Sequence, residues 1–195
     1  MQRLLAAWRS LLNLLATVER LVLIFLIANI VLNITAQVIS RYAFGRPLVW
    51  VEEIAIYSFI WATFVGAALG LKYSRHVKIE TFVSHLPLGG AALLRALVFA
   101  LILGFSVWML PFVWTNAVLE MKRGTISLPF DAAMGWFFSV PLMVGLSSIA
   151  LTAAYRLLDE LNQLAGRAPQ PPITGMPEEE QEDEEAEKVL VGDRS

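Results

Sequence analysis

The chain has 195 residues, no cysteine, a formal net charge of −2 and a mean hydropathy of +0.62. Without cysteine there is no disulfide, no thiolate metal site and no cysteine nucleophile. The charge is segregated: from Ala168 onward nine acids face two bases, a net −7 that leaves the preceding body at +5, a balance suited to anionic lipid without invoking nucleic acid.

Residues 3–18 place Leu4, Trp8, Leu11, Leu12, Leu15 and Val18 at helical spacing, with Arg3 and Arg9 at the edges of the stripe. This pattern fits an amphipathic helix on the membrane surface, or a plain extension of the first span. Arg9, Glu19 and Arg20 interrupt it, and no small-residue cleavage site follows a compact apolar core, so a retained segment is expected rather than a signal peptide.

Four stretches of 18 to 24 residues without Asp, Glu, Lys or Arg follow, at about 21–40, 54–71, 96–119 and 132–155. A helix rises about 1.5 Å per residue, so roughly 20 residues cross a hydrocarbon core of about 30 Å. The expected fold is therefore an all-α integral membrane protein with four transmembrane helices and short amphipathic interfacial helices. Residues 1–166 form the membrane domain.

On the first span Asn29, Asn33, Gln37 and Ser40 share one face. Amides in hydrocarbon need hydrogen-bond partners, so this stripe either stitches the helices together or meets another protein. Arg41 ends the span, a Gly-Arg-Pro turn follows, and Glu52 and Glu53 open the second span. An Arg41–glutamate pair near the interface would fix this hairpin. The second span carries Trp50, Glu53, Tyr57, Trp61 and Phe64 on one face. Ala55, Ala62, Gly66 and Gly70 lie on another, where Gly66 and Gly70 permit close helix approach. One face is expected to pack internally and one against a partner.

From Lys72 to Arg95 the chain is a basic loop, in which Ile79, Phe82, Val83 and Leu86 suggest a short surface helix before Pro87. Pro111 inside the third span predicts a kink. The fourth span opens on Trp136, Phe137 and Phe138, an interfacial aromatic cluster, and contains Pro141. Beyond Leu164 a proline-rich linker leads to EEEQEDEEAE. Residues 167–195 are expected to form a disordered acidic tail, too polar to offset their chain entropy.

Chemistry is sparse. There is no phosphate-cradling glycine loop and no HExxH motif. His76 and His85 fall outside every span, which argues against a haem held between helices, and their spacing with Glu80 is not a metal site. No catalytic residue, cofactor or metal is expected. Spans without ionisable groups also lack the usual equipment of an ion-coupled carrier. An accessory subunit fits better than an enzyme or a carrier.

The run from Arg41 to Pro87 carries an Arg-Tyr-x-Phe exit from the first span and a Trp-x-Glu-Glu opening to the second. A Gly-Leu-Lys…Arg-His-x-Lys-x-Glu exit and a Leu-Pro follow. This run resembles the small membrane subunit of tripartite ATP-independent periplasmic (TRAP) transporters, the DctQ-like family. The resemblance implies a bacterial inner-membrane location and no catalytic residue. It also implies a large, many-span partner subunit, on a separate chain, that binds sodium and substrate and moves as an elevator. A periplasmic solute-binding protein would deliver the substrate, typically an organic acid. The small subunit would extend the static scaffold and help dock the binding protein. The alternatives are the small subunit of a tripartite tricarboxylate transporter and a small four-helix membrane enzyme built around Arg41, Glu52 and Glu53.

Lys and Arg fix the expected orientation. Leaving aside the two in the acidic tail, nine lie on the side of the termini and the middle loop, and four on the side of the first and third loops. Both termini should therefore be cytoplasmic. Fusions at the C-terminus should fluoresce when carrying a fluorescent protein and stay inactive when carrying alkaline phosphatase. Phosphatase activity there would invert the topology.

Overall fold

The computed structural model describes residues 2–73, 88–125, 128, 132–165 and 173. Four helices make up nearly all of it: α1 (Gln2–Ala43), α2 (Val49–Tyr73), α3 (Leu88–Glu120) and α4 (Ser139–Leu164). A 3-10 turn, Met134–Trp136, precedes α4, and an isolated bridge joins Gly124 to Ala133. All four helices are long and apolar enough to cross a bilayer. The surface helix expected within the basic loop lies outside the described residues.

α1, α2 and α3 outrun their uncharged stretches at both ends, whereas α4 starts later than its own and runs on past it to Leu164. α1 is continuous from Gln2, so no break separates the N-terminal stripe from the first span. The face that this stripe buries is narrower than the pattern suggested. Leu5, Leu12 and Ala16 are buried, whereas Leu11, Leu14 and Val18 point outward. Leu5 and Leu12 cluster with Tyr155 of α4 and with Ile173, flanked by Trp8, Leu151 and Leu158.

The two prolines behave differently from one another. Pro111 lies inside α3, which stays helical through it, and Thr115 Oγ1 donates to the Pro111 carbonyl at 3.0 Å. Pro141 is the third residue of α4. There its missing N–H has no intrahelical acceptor to lose, so the helix starts just before it rather than at Ala132.

The helices do not close into a bundle. α1 packs on α2, α2 on α4 and α4 on α3, while α1 meets α4 only briefly. Among the described residues α3 touches neither α1 nor α2. The result is an open row, α1–α2–α4–α3. In the most apolar stretch of α1 no residue is buried.

Tight contact in this row falls at Gly145. A Cβ added there would stand 2.9 Å from Phe64 Cβ and 3.0 Å from the Phe64 carbonyl oxygen. The hydrogen side chain thus lets α4 lie against the backbone of α2. Gly145→Leu should push the two helices apart and cost about 1–3 kcal/mol, read as a lower melting temperature in detergent. An unchanged melting temperature would contradict the close approach.

Candidate functional site

Three helices converge on one buried lysine. Lys72, in the last turn of α2, is 1% exposed. Its Nζ lies 2.6 and 2.5 Å from the two carboxylate oxygens of Glu19 on α1, and 2.6 Å from Ser148 Oγ on α4. Ser148 Oγ in turn donates to Glu19 Oε1 at 2.5 Å. Thr152 Oγ1 bonds the Ser148 carbonyl, and Arg156 Nη2 reaches the carbonyl of Lys72 at 3.2 Å. Ser148, Thr152 and Arg156 recur every four residues, so α4 presents them on one face. Arg156 also satisfies a carbonyl that the end of α2 would otherwise leave open.

An apolar recess of about 430 Å³ adjoins this cluster, lined by Leu15, Val22, Val65 and Met143 with Glu19 and Ser148 at its edge. In such surroundings an unpaired charge is costly, and mutual neutralisation is what makes burial tolerable. The sequence pattern placed Lys72 at the start of a loop and Glu19 in a surface helix. Their partnership spans 53 residues and leaves no local signature. The usable signal was a lone acid among apolar and basic residues, matched by polar residues at every fourth position of α4.

The amide stripe of α1 is engaged within the chain. Ser58 Oγ of α2 donates to Asn29 Oδ1 at 3.0 Å, and Asn33 Nδ2 donates to the same oxygen at 2.9 Å. Gln37 Oε1 accepts the backbone N–H of Leu48 at 2.9 Å, and Ser40 Oγ donates to the carbonyl of Arg46. These bonds, with Gly45 at φ +64° in the turn, close the α1–α2 hairpin. Arg41 and Glu52 line a groove of about 390 Å³ beside it. Among the described residues no ion pair joins Arg41 to Glu52 or Glu53.

The aromatic face of α2 turns toward the entry of α4. The Tyr57 hydroxyl donates to Glu53, and its ring stacks on Phe137 at 4.2 Å and meets Phe138 edge-on at 5.7 Å. Trp61 Nε1 donates to the carbonyl of Trp136 at 3.2 Å. Phe64 lies against Gly145, and Trp50 stays exposed. Gly66 sits in ordinary contact with Leu23 of α1, and the Cα of Gly70 faces open space. Two further links join α4 to α3: Arg95 Nε pairs with Glu160 at 2.8 Å, and Ser139 bonds Glu120. Sequence reasoning singled out none of these four.

Among the described residues no group of three or more His, Asp or Glu side chains stands close enough to hold a metal. The polar groups instead hold helices to helices.

Residues 30–163, which hold most of these contacts but not Glu19, Leu23 or Asn29, match the family described as tripartite ATP-independent periplasmic transporters, DctQ component. The chain belongs to this family. It is thus a small permease subunit and a multi-pass inner-membrane protein. A chain of Haemophilus influenzae named as a TRAP transporter small permease protein is 26% identical over 144 residues, covering 74% of this chain and 89% of its own length. The C4-dicarboxylate TRAP transporter small permease protein DctQ of Vibrio cholerae is 28% identical over 98 residues, 50% of this chain and 42% of its own. The sialic acid TRAP transporter small permease protein SiaQ of the same organism is 33% identical over 70 residues, 36% of this chain and 40% of its own.

The buried pair predicts a coupled pattern of losses in this DctQ-family chain. Lys72→Met alone should destabilise by about 3–5 kcal/mol, because it strands the Glu19 carboxylate. Adding Glu19→Met should recover most of that loss in a double-mutant cycle followed by unfolding in detergent. Additive losses would mean that the two side chains do not act as a pair.

Proposed function

We propose that this chain is the static, non-catalytic small subunit of a sodium-driven transporter for organic acids. In this reading it anchors a large elevator-type subunit, encoded separately, in the inner membrane. It also helps dock a periplasmic solute-binding protein. The observation that carries the proposal is the fate of the ionisable groups. Glu19 and Lys72, on the helices that span, are consumed in joining α1, α2 and α4, which leaves structure rather than an ion path as their role.

The open row supports the same reading. A closed bundle would hide its helix faces, whereas this row offers broad apolar surface on both sides to lipid and to a large partner. An elevator needs a fixed frame, since sliding of one part is useful only relative to something held in the bilayer. Trp50, Glu52 and Arg41, exposed beside the α1–α2 connector, are the proposed contact with partners on the periplasmic side. That side follows from the distribution of Lys and Arg.

In this reading substrate choice lies outside this chain. Relatives similar to it carry different substrates in their names, C4-dicarboxylate in one and sialic acid in another. Extraction in mild detergent should therefore recover the chain with a much larger hydrophobic protein. Proteoliposomes holding that protein should lose substrate uptake when the small subunit is left out. Full uptake without it, together with a stable monomer, would sink the scaffold reading.

A further inference from the structure

The groove between α1 and α2 is polar at one end only. Ile30, Ile34 and Val38 line it from α1 at spacings of four residues, and Arg41 closes that row. On α2, Phe59 and Ile56 lead in the same direction to Glu52. Helical spacing keeps each set on one face, so two apolar rails run into a mouth that carries both signs of charge.

The two charges do not cancel each other. Arg41 and Glu52 are exposed, and among the described residues neither has an ion-pair partner. Glu53, by contrast, accepts the Tyr57 hydroxyl. A third polar group is open where the mouth meets the rails. Gln37 lines the groove and is 9% exposed. Its Oε1 accepts the N–H of Leu48 at 2.9 Å, which leaves Nε2 buried without a partner. An open donor in apolar surroundings is costly, so this amide calls for an acceptor.

The order of groups along the groove is that of a phospholipid. Gln37 lies about 6 Å inward from Arg41, and Ile30 about 16 Å inward. A phospholipid has its phosphate at the surface, its ester carbonyls just beneath, and acyl chains that fill half of a core of about 30 Å. Girth agrees as well. Spread over about 16 Å, a volume of about 390 Å³ gives a cross-section of about 24 Å². That suits a hydrocarbon chain and is less than a third of the section of a helix about 10 Å across. The paired charges then select the headgroup. Arginine grips phosphate through two parallel N–H donors, and a free carboxylate beside it suits a cation that can donate hydrogen bonds.

We propose that the α1–α2 groove binds one zwitterionic phospholipid whose headgroup carries a primary ammonium. Arg41 takes its phosphate, Glu52 its ammonium, and Gln37 Nε2 an ester carbonyl. One acyl chain lies along Ile34, Val38 and Phe59. The distribution of Lys and Arg puts this lipid in the periplasmic leaflet. It sits beside the connector surface proposed above for partners, yet its binding requires neither a partner nor transport.

Native mass spectrometry of the full chain, released from detergent with added lipid, tests this. The probes are phosphatidylethanolamine, phosphatidylcholine and phosphatidylglycerol. The first should be retained as a single adduct about tenfold more tightly than the other two, the effect of a charge-assisted hydrogen bond that only it can make with Glu52. Glu52→Gln should abolish that preference, and Arg41→Gln should weaken retention of all three. Val38→Trp should block the groove, whereas Val31→Trp, exposed on α1 but outside the lining, should leave retention intact. All four positions are exposed, so melting temperatures in detergent should match that of the unaltered chain. Equal retention of the three lipids, a preference that survives Glu52→Gln, or retention untouched by Val38→Trp would each overturn the proposal. The chain is tested alone, so none of these results bears on the scaffold reading.

Discussion

The fold depends on a charge that is out of water. Lys72 ends α2 among apolar neighbours, and it is tolerable there only because Glu19 and Ser148 surround its ammonium group. The three come from three helices, so the cost of burying the charge is met only when α1, α2 and α4 are all in place. This ties helix position to a cooperative condition. Apolar packing in lipid lacks that discrimination, since lipid tails compete on equal terms with apolar side chains. A buried ion pair adds little net stability, but it penalises every arrangement in which one member is left alone.

The opposite end of the row is held differently. There Tyr57 and Trp61 of α2 grip the turn into α4 through ring stacking and one indole hydrogen bond. The amides of α1 close the hairpin with α2. α2 is therefore clamped by charge at one end and by aromatic contact at the other. Among the described residues α3 joins through α4 and the 3-10 turn before it, using Arg95–Glu160 and Ser139–Glu120 near its two ends. Both pairs sit near the ends of the apolar stretches, where polar groups are cheapest to place.

Much of this was legible in the sequence, for physical reasons. Uncharged runs of about 20 residues read directly as four helices, because the bilayer thickness sets their length. The motif from Arg41 to Pro87 pointed to the family. Asn29 and Gln37 announced hydrogen bonds, since amides in hydrocarbon must find them. Which partner they find was not legible, nor was the choice of Phe137 and Phe138 as the neighbours of Tyr57. Those depend on helix order, and periodicity carries no information about order. Glu19 and Lys72 were hidden by their own chemistry. Charges at the edges of apolar runs resemble the ordinary limits of a span, and only the third dimension separates a solvated edge from a buried pair. Gly145 was passed over for a similar reason. Gly66 and Gly70 have the spacing of a packing motif, yet close backbone contact falls at a lone glycine on another helix.

The length of α1 has a consequence for the surrounding lipid. At 42 residues it measures about 63 Å, roughly twice the hydrocarbon thickness. Its outward side stays apolar at Leu11, Leu14 and Val18, well before the uncharged stretch begins. Such a rod is accommodated by steep inclination or by a locally thicker bilayer, each costing fractions of a kcal/mol per Å of misfit. Inclination leaves the bilayer at its own thickness, whereas thickening would extend the footprint of this small chain beyond its four helices.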